Sequence, residues 1–86
     1  MPEICRFYGI IIAMFYDDHN PPHFHARYGK DGVVIGIQSL QILEGHIPHR
    51  ALGLVMEWAS QHQKELMIDW NLAKKNKPPK YISPLA

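Results

Sequence analysis

Pro48 divides the chain between two periodicities, and that division limits the fold more than any other feature. Before it, apolar residues run continuously or alternate at every second position, as in Gly9 to Tyr16, His23 to Tyr28 and Val33 to Ile37. After it, Ala51, Val55, Trp58, His62, Leu66, Trp70 and Ala73 recur at three- and four-residue steps, one amphipathic face lasting about seven helical turns. Strands followed by helices, rather than alternating with them, predict an α+β architecture: an antiparallel sheet of three to four strands, then two helices or one bent helix packed on it. The expected strands are 9–16, 23–28, 32–37 and 40–44, the helical region is 48–76, and 77–86 is an extended tail of one domain spanning 1–86. Gly29-Lys30-Asp31-Gly32 is a hairpin signal, because Gly and Asp supply positive φ. Pro48 suits the first helical position, where its missing N–H costs nothing. A helix from His49 to Asn76 would outrun so small a sheet, so a break is expected near Ser60 to Gln63. Trp58 and Trp70 are the expected anchors between the layers, and Tyr81, Ile82 and Leu85 the tail residues expected to dock.

A chain of 86 residues builds one small core with little stability to spare, which makes a homodimer an open alternative. Cys5 is the only cysteine and cannot form an internal disulfide, and no basic segment leads into an apolar one at the start, so the cytoplasm is the expected compartment. No apolar run approaches the roughly 20 residues that cross a bilayer, and no membrane association is expected. The formal charge is +1, but the basic excess gathers in Lys74, Lys75, Lys77 and Lys80. Those four can form a nucleic-acid-binding footprint, or simply a solvated helix end that complements the helix dipole.

The chemistry concentrates in Asp17-Asp18-His19-Asn20-Pro21-Pro22-His23-Phe24-His25-Ala26, which holds three of the six histidines. Two prolines fix φ and bias the residue before each away from helix, so His19 and His23 are joined by a stiff corner. Strict alternation from His23 to Tyr28 sends His23, His25 and Arg27 to one strand face and Phe24, Ala26 and Tyr28 to the other. Three readings are open. No cofactor is required by the sequence, yet His23 and His25 at i and i+2 stand about 6.5–7 Å apart on a strand, a spacing that permits a divalent metal such as zinc with His19 or Asp18 as a third ligand. Without metal, His23 and His25 form an acid–base pair, with His19 and Asp18 assisting and Arg27 stabilising developing charge, the components of a phosphoester-cleaving site. In the third, Asp-His-Asn-Pro-Pro is a rigid corner of structural or protein-binding use, because Asp18 and Asn20 can cap backbone amides there. His62 is expected in the core, and His46 and His49 have no assigned role.

The string His19-Asn20-Pro21-Pro22-His23-Phe24-His25, with Ile4 to Ile10, Leu43-Glu44-Gly45, Arg50-Ala51-Leu52, Glu57-Trp58-Ala59 and Trp70, resembles a small bacterial family, domain of unknown function 4160. The likeness runs over nearly the whole chain and departs at Gln38-Ser39-Leu40, where an acidic, glycine-bearing turn is more typical. The resemblance implies a toxin-like component of a toxin–antitoxin module, with a small antitoxin protein as partner. It transfers no residue roles. If the chain is an enzyme, RNA or another phosphoester is the expected substrate.

Overall fold

The computed structural model describes residues 2–86. Five strands, β1 (Glu3–Phe7), β2 (Ile10–Ala13), β3 (His23–Tyr28), β4 (Asp31–Gly36) and β5 (Ile42–His46), form one antiparallel meander in the order β1-β2-β3-β4-β5. Two helices follow, α1 (His49–Gln61) and α2 (Gln63–Lys74). The α+β class holds, but the sheet has five strands, not three or four.

The extra strand is β1, joined to β2 by Tyr8 and Gly9 at φ +49° and +80°. Two central residues at positive φ, closing Phe7 onto Ile10, are the mark of a type I′ hairpin turn. Tyrosine rarely occupies that region, so the turn was hidden and 9–16 read as one strand; β2 is only Ile10–Ala13. The last expected strand, 40–44, is shifted to Ile42–His46 because Leu40 lies at φ +55° and the Gln41 carbonyl accepts the Gly36 amide, closing a turn there. The strand expected at 32–37 is Asp31–Gly36, since the hairpin loop is Gly29-Lys30 alone, with Gly29 at φ +61°. The helical region divides at His62, within the expected break.

One face of the sheet supplies Phe7, Phe24, Ala26, Val33 and Ile35 to a core completed by Ala51, Val55 and Trp58 of α1 and Leu66, Trp70 and Ala73 of α2. Trp58 is fully buried, packed against Phe7 at 5.6 Å and edge-on to Phe24 at 6.0 Å between ring centroids. The opposite face is covered only in part: Ala13 and His23 are buried, His25 and Val34 half-buried, Arg27 exposed, and every residue of β5 is exposed. The tail docks against the outer edge of β1: the Ile82 amide donates to the Ile4 carbonyl and Ile82 is buried. Leu85 packs on the core as well, while Tyr81 is exposed. Cys5 is fully buried, and burial pushes its thiol up to about 11, where it is unreactive.

Asp69 pins the same tail. Its Oδ1 accepts the Lys80 amide, while Oδ2 is buried without a partner. Burial raises its carboxyl above the usual 3.8. The folded chain therefore keeps this proton to higher pH than the unfolded one, so the contribution of Asp69 is fullest below the unfolded pKa and declines as pH rises through the folded value. Asp69→Asn keeps an acceptor for Lys80 and removes the buried charge. It should be more stable than wild type at neutral pH by about 1 kcal/mol, a gain in Tm of about 4–8 °C, and the gap should close on acidification. Thermal melts of both proteins across that pH range check it.

Candidate metal centre

The loop from Met14 to Pro22 is held at both ends by the rest of the fold. The Met14 amide donates to the Pro2 carbonyl, the Ile37 amide donates to the Pro22 carbonyl, and the Asp17 amide donates to the Ala73 carbonyl at the end of α2, which also accepts the Asn76 amide. Lys74 reaches back from that end, donating from Nζ to the Asp18 carbonyl at 2.8 Å. The Asn20–Pro21 bond is cis. These contacts set Asp18 over the first residues of β3.

Asp18, His23 and His25 each present a ligand atom there, and the three atoms lie within 4.8 Å of one another. The cleft around them encloses about 450 Å³ and is walled by Phe15, Val34, Leu43 and Glu44. His23 is 5% exposed, its ring 5.1 Å from that of Trp70. Its Nδ1 lies 2.7 Å from the Pro21 carbonyl and its Nε2 lies 2.8 Å from Asp18 Oδ2. A carbonyl can only accept, so Nδ1 carries a proton. In a neutral ring the Nε2 lone pair then faces a carboxylate oxygen, which is repulsive unless positive charge stands between them. His25 Nε2 is buried without a hydrogen-bond partner; Asp18 Oδ2, at 3.6 Å, is too far to accept.

The protonation states suit a cation. Burial alone would raise the Asp18 carboxyl, but the His19 amide and the His23 ring hold it below its usual value. Burial lowers His25 below 6.5, against the pull of Asp18. Asp18 is thus ionised and His25 neutral at neutral pH, the forms that bind metal.

Of the expected ligands, His23 and His25 belong to the cluster and Asp18 completes it. His19 does not: its side chain is 90% exposed, with Nδ1 on the other carboxylate oxygen of Asp18 at 3.0 Å. Arg27 lies two residues beyond His25 on the same strand face, exposed and, among the described residues, without an acidic partner within 4.0 Å. Lys74 is taken up by the loop and stands 5.9 Å from the Trp70 ring centroid, whereas Lys75, Lys77 and Lys80 are exposed and make no ion pair within 4.0 Å among the described residues. His62 is partly buried against Trp58 and pairs with Glu65 at 2.6 Å. Glu44 on the cleft wall was not singled out by the sequence; only the β5 register reveals it. Among the described residues, no helix is long and apolar enough to cross a membrane.

The family model described as Domain of unknown function (DUF4160) matches residues 9–71, a span that includes the loop, both histidines and Glu44. No curated protein and no solved structure matches the chain.

Proposed function

The chain belongs to the DUF4160 family, which is defined without an activity, and from its own site we propose that it is a metal-dependent hydrolase of phosphoesters, with RNA the first substrate to test. The observation that carries this is the convergence of two imidazole nitrogens on one carboxylate oxygen: His23 Nε2 at 2.8 Å and His25 Nε2 at 3.6 Å from Asp18 Oδ2, the latter nitrogen buried without a hydrogen-bond partner. A second proton on His23 would answer for His23 alone. A divalent cation answers for His23, His25 and Asp18 together, with the His23 Nδ1–H held by a backbone carbonyl as in many metal-bound histidines. Two imidazoles and a carboxylate suit zinc and leave coordination positions open.

A zinc ion held by Asp18, His23 and His25 would supply Lewis acidity at the cleft, making water a stronger nucleophile near neutral pH. Arg27, two residues along β3 and bordering the adjoining groove, offers positive charge to a phosphodiester that extends past the cleft, and the exposed His19 stands at the rim as a proton carrier. A toxin-like role in the cytoplasm, silenced by a small antitoxin protein covering the cleft, is the setting we attach to this activity.

The test is elemental analysis of the purified chain after zinc loading and desalting, followed by RNA cleavage with and without chelator. One metal per chain is expected, with cleavage abolished by chelation and restored by zinc. Metal at trace level, or cleavage undiminished by chelator, sinks the metal centre. A loaded protein that leaves RNA and simple phosphodiesters intact sinks the hydrolase.

A further inference from the structure

We propose that Glu44 is the general base of this site, taking a proton from the attacking water and returning it to the leaving group. The inference rests on the metal-centre reading and adds a catalytic residue to it.

The sheet register brings Glu44 into play. Ala13 pairs with His25, His25 with Val34, and Val34 with Glu44, so these four form one row across one face of the sheet. Neighbouring strands stand about 4.7–4.9 Å apart, which puts Glu44 about 9.5 Å along the row from His25, both side chains rising from the same surface. The bulge between Val34 and Ile35 produces this alignment: it leaves Leu43 as the extra residue. Asp18, His23, His25 and Glu44 all line the same cleft.

Glu44 is also free. It is exposed and, among the described residues, has no cation within 4.0 Å, although Arg27 and Lys30 border the adjoining groove that it shares. The other nearby carboxylates are spent or misplaced. Asp18 belongs to the ligand set, Asp17 lies 3.7 Å from Lys74 Nζ, and Asp31 borders only the adjoining groove. The three ligand atoms converge without Glu44, which leaves its carboxylate available to act on a water in the cleft instead of as a ligand.

The step balances as a hydrolysis. A water O–H bond breaks as its proton passes to a Glu44 carboxylate oxygen and the water oxygen forms a bond to phosphorus. The P–O bond to the leaving group then breaks, and the departing oxygen takes the proton from Glu44. One water is consumed, no oxidant or reductant is involved, and the carboxylate is regenerated.

The experiment compares zinc-loaded wild type, Glu44→Gln and Glu44→Asp for metal content, melting temperature and turnover of bis(4-nitrophenyl) phosphate and RNA. Glu44 is exposed on an edge strand, so the melt should not move. Glu44→Gln should keep one metal per chain and an unchanged KM while kcat falls about 10²–10³-fold, within the range a positioned base contributes; Glu44→Asp should recover part of it. A loaded Glu44→Gln protein with wild-type kcat overturns the inference and leaves the hydrolase standing. Loss of metal in Glu44→Gln also overturns it, making Glu44 a ligand. If loaded wild type turns over neither probe, the hydrolase reading fails and takes the base with it.

Discussion

Replacing His25 by alanine should abolish metal binding and leave the fold intact. His25 is the cleanest member of the trio to remove, because its side chain is 23% exposed and its Nε2 has no hydrogen bond to lose. What it gives up structurally are edge contacts with Phe15 at 4.2 Å and His23 at 5.3 Å, a cost of about 1 kcal/mol. His23 is a poorer probe. Its ring is buried against Trp70 and bonded at both nitrogens, so His23→Ala would lose metal and packing together. Asp18→Asn is the second clean variant, since it keeps the shape of the side chain and removes the charge that holds the cation. Loss of a metal ligand should weaken affinity by more than the roughly 10–100-fold that loss of a second-shell partner brings. Titration against a chromophoric chelator reads that change directly, and melting reads it through linkage. Wild type at a free zinc concentration about 100 times Kd gains about 2.7 kcal/mol, and His25→Ala should gain none. A His25→Ala protein that holds zinc as wild type does would show that the imidazoles meet for another reason.

The sequence made the pair His23 and His25 legible, but not their third partner, and the reason is where the information lies. Alternation along β3 is local, so two imidazoles on one face follow from six consecutive residues. Choosing Asp18 over its neighbour His19 depends on how the loop sits. That is decided by the Asp17 amide on Ala73 and by Lys74 on the Asp18 carbonyl, contacts that span more than fifty residues of chain. Glu44 was hidden for a related reason. Its place in the His25 row requires the register of β5, and that register depends on Leu40 adopting positive φ and on a bulge in the β4–β5 ladder. Neither leaves a mark in residue type. β1 was missed on the same ground, through Tyr8. The helices, by contrast, follow from a repeat sustained over many residues, and that repeat continues across the division at His62.

Trp58→Ala should be the most destabilising single change outside the site, and it should release the tail. Trp58 is fully buried where α1 meets Phe7 of β1 and Phe24 of β3, so its removal opens a cavity against both layers. Truncations of buried Phe or Trp to alanine cost about 3–5 kcal/mol. At about 0.05–0.15 kcal/mol per residue, a chain of this size has about 4–13 kcal/mol in all, so the loss is about a quarter of it or more. Trp58 does a second thing that its size does not convey: its indole N–H donates to the Ser83 carbonyl at 2.8 Å. That bond and the Ile82-to-Ile4 bond hold the tail along the edge of β1. Trp58→Phe separates the two roles, keeping an aromatic ring in the core while losing the donor. Hydrogen exchange should then quicken at the Ile82 amide while the central strands keep their protection. In Trp58→Ala both should fail, with a melting temperature lowered by about 12 °C or more at roughly 4–8 °C per kcal/mol. A Trp58→Ala chain that melts with wild type, or a Trp58→Phe chain whose Ile82 amide exchanges no faster, would mean that the tail is held without the indole.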